Sequence, residues 1–211
     1  MKRVVITIAR QYGSGGREIG ERVAEILGIP KYDKEFVTLA AGKDETVCEE
    51  ALEKVDERAT NSLLYTLAVG SNLFGMAPGS SLSLPLNDKL FVLQSSIIRQ
   101  KAEEESCVMI GRCADYVLRD VPERLAVFVY ADLEDRKNRV ALRHGITEGQ
   151  AVDFINKTDR RRASYYNFYT GGKWGKYDNY HIAINSSVLG MEGTARLIAD
   201  MARIKMEESQ N

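Results

Sequence analysis

Apolar positions along this chain recur with two different periods. Val4-Val5-Ile6-Thr7-Ile8-Ala9 is a nearly unbroken β-branched run, which predicts a strand buried on both faces. It breaks into Gly13-Ser14-Gly15-Gly16, after which Ile19, Val23, Ile26 and Leu27 recur at helical spacing until Gly28 and Pro30 stop the pattern. A short extended piece closes on Tyr32-Asp33. Between Lys34 and Glu105 the spacing predicts helices near 34–42, 45–59 and 60–74 and a Gly/Ser/Pro loop from Met76 to Pro85. A further helix follows, with Leu86, Leu90, Leu93, Ile97 and Ile98 on one face. The runs Cys107–Ile110 and Leu125–Tyr130 predict two more buried strands, and the second leads into a helix start at Asp132, Glu134 and Asp135. A long helix is expected over 147–167, a polar aromatic loop over 168–180, a strand over His181–Ile184 and a last helix from about Met191 to Glu207.

Apolar strands alternating with helices predict an α/β fold, a parallel sheet of about five strands with helices on both faces. The expected organisation is a single domain over 1–211, with 34–105 as a helical insertion and 145–180 as a lid region. Ligands in such sheets collect at the C-terminal strand ends, where Gly13–Arg17, Asp33, Arg112 and Asn185 fall.

The glycine turn is the first candidate site. A buried strand, a glycine loop and a helix start point backbone N–H groups at one spot, where the helix dipole also favours an anion. The usual loop is G-x-x-x-x-G-K-[ST], whose lysine reaches the terminal phosphates and whose hydroxyl holds magnesium. With Gly15 as the last loop glycine, Gly16 stands at the lysine position, Arg17 follows it, and Glu18 comes one residue later. Arg10 or Arg17 could supply the cation, since guanidinium binds phosphate bidentately. The candidate phosphate cradle is therefore Arg10, Gly13, Ser14, Gly15, Gly16, Arg17 and Glu18. A turn that merely packs a strand against a helix would use the same glycines.

Two further clusters change the picture. Gly111-Arg112-Cys113-Ala114-Asp115 follows an apolar strand and offers an arginine and a carboxylate to the same crevice, or a simple Arg112–Asp115 pair. Lys157-Thr158-Asp159-Arg160-Arg161-Arg162 sits in the long helical stretch. Successive residues step about 100° around a helix, so at least one of these guanidiniums can turn inward while its neighbours stay solvated. Phosphoryl transfer needs such cations, because charge spreads over the equatorial oxygens. A solvated basic stretch, or an RNA-facing patch beside Tyr165, Tyr166, Phe168 and Tyr169, is the plainer alternative.

Composition narrows the partners. The net charge is −1 with 44% hydrophobic residues, so there is no general basic field for nucleic acid or anionic membrane, and an anion site must be local. Cys48, Cys107 and Cys113 show neither a disulfide framework nor metal spacing, and no residue is assigned as a metal ligand. No apolar run approaches the ~20 residues of a membrane span, and the N-terminal run is too short for a signal peptide. The expectation is a cytoplasmic protein acting on a small nucleotide, without nucleic-acid or membrane partners. A homo-oligomer is left open, with the apolar Leu63–Met76 stretch long enough for an interface. His181 is expected to open a strand, and Trp174, Tyr177 and Tyr180 to pack a loop or stack on a base.

The order of these pieces resembles the nucleoside monophosphate kinases, and most closely the cytidylate kinase-like family of P-loop proteins. Val4–Ile8 with Tyr12–Gly20 is similar to that family's variant loop, Ile110-Gly111-Arg112 to its Gly-Arg turn, Val127–Arg136 to a strand and helix, and Lys157–Arg162 to its arginine-rich lid. The resemblance implies a P-loop kinase core, ATP with Mg2+ as donor, and CMP or a related pyrimidine monophosphate as acceptor. It implies that Gly13 to Arg17 wrap the donor phosphates, that Arg17, Arg160 and Arg162 steady the transferred group, and that Arg112 and Asp115 face the acceptor. Asp33 falls where cytidylate kinases begin their acceptor segment, but Lys34–Leu39 lacks the arginine those enzymes place there. A nucleotide-binding regulatory protein that kept the cradle and lost turnover is the second reading.

Overall fold

The computed structural model describes residues 3–33, 36 and 86–208. Strand β1 (Val5–Arg10) leads through the glycine loop into α1 (Gly16–Leu27) and the two-residue strand β2 (Lys31–Tyr32). Next come α2 (Leu86–Glu104), β3 (Cys107–Ile110) and a one-turn α3 (Ala114–Val117). The chain continues with β4 (Arg124–Tyr130), α4 (Leu133–His144) and α5 (Glu148–Thr170). A short 3₁₀ turn (Tyr177–Asn179), β5 (Ile182–Asn185) and α6 (Ser186–Glu208) complete it. The helices expected near 34–42, 45–59 and 60–74, the Met76–Pro85 loop and the Leu63–Met76 interface lie outside the described residues.

The strands pair in the order β2-β3-β1-β4-β5, every pair parallel. Thr7 is registered with Met109 on one side and Ala126 on the other, so β1 is central. The chain visits β2 and β3 on one flank of β1 and then crosses to β4 on the other. That reversal opens a crevice at the C-terminal ends of β1, β3 and β4.

Alternate β1 residues feed two cores, which is why the run is apolar throughout. Ile6 and Ile8, with Val108, Ile110, Val127 and Val129, pack on Ile19 and Val23 of α1 and Ile198 of α6. Val5, Cys107 and Met109 pack on Ile97 and Ile98 of α2, with Leu118 and Phe36. Each fully buried Ile or Val side chain is worth roughly 1.5–3 kcal/mol, so the sheet is held from both faces. Burial pushes the Cys107 thiol up to about 12, with Glu105 adding to the shift, which keeps it an inert core group.

Two boundaries differ from expectation. Helix α5 runs on to Thr170, because Tyr165, Tyr166 and Tyr169 are buried on one face and hold its last turns down. Helix α6 begins at Ser186, five residues early, and kinks at Gly190, whose φ of 65° and ψ of 178° are not helical. His181 lies just before β5, where its N–H donates to the Ala126 carbonyl at 2.8 Å and its Nδ1 accepts from the Ala126 N–H at 3.0 Å. Among the described residues no helix is long and apolar enough to cross a membrane.

Candidate active site

The glycine loop leaves β1 at the centre of the crevice. Gly13 and Gly15 both have φ of 78°, and Gly15 caps α1 in the left-handed conformation. A Cβ on Gly13 would lie 2.9 Å from the Arg136 carbonyl oxygen, so the loop also needs glycine for close approach. Ser14 is buried; its Oγ donates to the Gln11 carbonyl at 2.9 Å and accepts from the Gly16 N–H at 3.3 Å. Ser186 Oγ donates to the Ser14 carbonyl at 2.7 Å, tying the loop to the start of α6.

Arginines from distant elements hold the loop's remaining carbonyls. Arg136 Nε donates to the Tyr12 carbonyl at 2.7 Å, Arg139 Nη1 to Gly13 at 3.1 Å, and Arg162 Nη1 to Arg10 at 3.0 Å. Asp159 closes the clamp: its Oδ1 accepts from the Tyr12 N–H at 2.7 Å and its Oδ2 pairs with Arg136 Nη2. Burial raises the Asp159 carboxyl above its ordinary range, outweighing the Tyr12 N–H and Arg136, which pull it down. Neither Asp159 nor Arg136 is distinguishable in sequence from an ordinary helix-surface charge. The only signal is that each sits one helical turn from an arginine that also reaches the loop.

In front of the loop lies a cavity of about 320 Å³, lined by Arg10, Arg17, Arg112, Arg143, Arg161 and Arg162 and by the carboxylates Glu18 and Asp33. Both carboxylates are paired, Glu18 with Arg143 and Asp33 with Arg17 at 3.0 Å. Glu18 in the first turn is thus neutralised from α4 rather than left to repel an anion. Arg112 is presented by three successive left-handed residues, Gly111 at φ 74°, Arg112 at 57° and Cys113 at 53°. Such non-glycine conformations cost about 1–3 kcal/mol each and persist where surrounding structure imposes them.

Asp115 lies in a narrower cleft that joins the same opening and is lined also by Arg10, Arg112, Arg162, Tyr166 and Trp174. Its Oδ2 accepts from the Tyr166 hydroxyl at 2.9 Å, so the carboxylate is held by α5. Burial raises Asp115 to about 6, against the hydrogen bond from Tyr166, which lowers it. The structure therefore brings Arg10, Gly13, Gly15, Gly16, Arg17, Glu18, Asp33, Arg112 and Arg162 to one cavity, with Ser14 buried beneath and Asp115 in the adjoining cleft. Arg160 is exposed and does not line either space, whereas Arg161 does; the roughly 100° step per residue separates them. Asn185 instead donates to Asp132 Oδ1 at 3.0 Å. Trp174 and Tyr180 pack against Phe128, at ring-centroid distances of 5.5 Å and 5.0 Å.

A second cavity of about 290 Å³ shares Gly13, Gly15 and Glu18 with the first and is lined also by Val140, Leu142 and Met191 and by Arg139 and Arg143. The position of the standard loop's magnesium-holding hydroxyl is occupied by Arg17, whose guanidinium faces Asp33. A cation stands where the metal's ligand belongs, so the residues present do not fit that arrangement.

The fold that carries this site is shared with known proteins. The model of the cytidylate kinase-like family matches residues 5–188. The chain belongs to that family. Among solved structures, an uncharacterized protein from Eubacterium ventriosum is 27% identical with a TM-score of 0.70, covering 95% of this chain and 99% of its own. A shikimate kinase from Bacteroides thetaiotaomicron (14% identity, TM-score 0.53, coverage 95% and 98%) and a gluconokinase from Sinorhizobium meliloti (15%, 0.51, 99% and 98%) share the P-loop kinase fold. No curated protein matches the chain. The family and the fold make the chain kinase-like.

Proposed function

We propose that this member of the cytidylate kinase-like family is a nucleotide kinase, transferring the γ-phosphoryl group of ATP to CMP or a related small phosphorylated acceptor. The observation that carries this reading is the convergence of arginines from four elements and from the turn after β3 on one cavity in front of the loop's backbone N–H groups. Anionic groups are the complement of that cavity. The second cavity, flanking the same loop with Val140, Leu142 and Met191 among its lining, suits a flat heterocycle whose phosphates then reach the cradle.

On this reading the donor phosphates lie across Gly13–Arg17, and Arg112 with Asp115 faces the acceptor. An acceptor phosphate oxygen attacks Pγ, the bond from Pγ to the β–γ bridging oxygen breaks, and ADP leaves with that electron pair. Arg17, Arg161 and Arg162 neutralise charge on the transferred group; Arg160 would act only if α5 turned about its axis.

Purified protein with ATP and a panel of nucleoside monophosphates, assayed with and without Mg2+, tests the proposal. Acceptor-dependent ADP formation that collapses in Arg17→Ala and Arg162→Ala supports it. The second reading, a regulatory nucleotide-binding protein, is favoured by Gly16 at the lysine position and by the Arg17–Asp33 pair. ATP binding with no turnover on any acceptor would establish that reading in its place.

A further inference from the structure

The loop departs from G-x-x-x-x-G-K-[ST] at three positions, and two of those departures are one event in space. With Gly16 at the lysine position, counting back six residues places the motif's first glycine at residue 10, which here is Arg10. The standard loop has glycine first and a cation seventh; this chain has a cation first and glycine seventh.

The two positions compete for the same volume. A Cβ built on Gly16 would lie 2.5 Å from Arg10 Cβ and 3.0 Å from Arg10 Cγ, with Val129 Cβ at 3.3 Å. Carbon atoms do not approach so closely, so a side chain can leave from residue 10 or from residue 16 but not from both. The Arg10 side chain therefore starts where a lysine side chain on residue 16 would start. It proceeds into the cavity in front of the loop, which Arg10 lines together with Arg17 and Arg112. Its backbone is fixed independently, since the Arg10 carbonyl accepts from Arg162 Nη1 at 3.0 Å and strand β1 pairs Arg10 with Val129.

We infer that Arg10 is the loop's phosphate-binding cation, occupying by exchange the place of the missing lysine, and that Gly16 is glycine because Arg10 passes over it. This rests on the phosphate-binding reading of the cradle and singles out Arg10 from the other arginines of the cavity. An arginine in this place grips phosphate through a planar fork and stays charged at any working pH, where a lysine would act as a point charge.

The test is a double-mutant cycle, with ATP as the titrated ligand and thermal unfolding as a second readout. Arg10→Gly should weaken ATP binding roughly tenfold or more, the scale of one lost charge-assisted contact, while leaving the fold intact. Gly16→Lys should weaken binding and lower the melting temperature, because its Cβ meets Arg10; Gly16→Ala, which adds only that Cβ, should lower the melting temperature too. The double variant Arg10→Gly/Gly16→Lys should recover both, binding within roughly threefold of the parent, a coupling expected only of residues that share space.

Wild-type-like binding in Arg10→Gly, or a double variant no better than its worse parent, overturns the exchange while the phosphate-binding reading stands on the binding by the unmutated protein. Failure of the unmutated protein to bind ATP overturns both.

Discussion

Asp115 is held in its buried cleft by Tyr166 and titrates near 6, well above the usual carboxylate value. A folded-state value raised above the unfolded one means that the protonated form is the one the fold prefers. The associated stability is complete below about 3.9 and is lost as pH rises through 6, leaving an ionised buried carboxylate that costs on the order of 3 kcal/mol at pH 8. Asp115→Asn keeps an acceptor for the Tyr166 hydroxyl without the charge. Its melting temperature should exceed the parent's at pH 8, with the gap closing toward pH 5, and its turnover should fall. A gap that does not change with pH would show that the fold leaves the Asp115 carboxyl at its unfolded-state value. A destabilising charge retained beside Arg112, itself in a strained conformation, marks the cleft as serving something other than stability.

Helix α5 is the element that joins stability to the site. Thr147 caps it with a full capping box, accepting from the Gln150 N–H at 3.3 Å while Gln150 Oε1 accepts from the Thr147 N–H at 3.0 Å. Several turns later Asp159 grips Tyr12 and Arg136. Two substitutions on one helix should therefore separate in their effects. Thr147→Ala should lose about 1 kcal/mol by urea unfolding and leave ATP affinity unchanged. Asp159→Ala strands the Arg136 guanidinium, whose side chain is 8% exposed, so it should lose roughly 3–5 kcal/mol and weaken ATP binding as the loop comes free. Equal effects on affinity would mean that α5 does not clamp the loop. The helix itself was legible from its pattern, but its length was not, because the tyrosines that extend it to Thr170 owe their burial to partners such as Phe91 and Cys113 elsewhere in the chain. Nor was the early start of α6, which depends on Ser186 reaching the Ser14 carbonyl.

For the molecule as a whole, formal charge is −1, yet the cavity gathers six arginines against two carboxylates that are already paired. Its field is thus local and positive, on a chain with no general attraction for anions. ATP affinity should fall steadily as sodium chloride shortens the Debye length from about 30 Å at 0.01 M to about 8 Å at 0.15 M, and calorimetric titration across that range measures it. An affinity indifferent to salt would mean that hydrophobic burial in the second cavity, not the arginines, holds the ligand.

Hydrophobic periodicity and motif spacing were enough to place the strand-loop-helix opening, the buried strands that follow and the candidate residues at their ends. Those depend on periodicity and on glycine and arginine chemistry, which are local properties of the chain. The rest came from how the chain packs. That packing selected Arg161 over Arg160, set Asp159 and Arg136 against the loop backbone, paired Glu18 with Arg143 and Arg17 with Asp33, and laid Arg10 over Gly16. Each of these joins residues that separate elements of the fold bring together, or two positions of one loop whose overlap exists only once the loop has closed. Spacing along a chain records direction and period; which side chain fills a shared volume is settled by the packing of the fold around it.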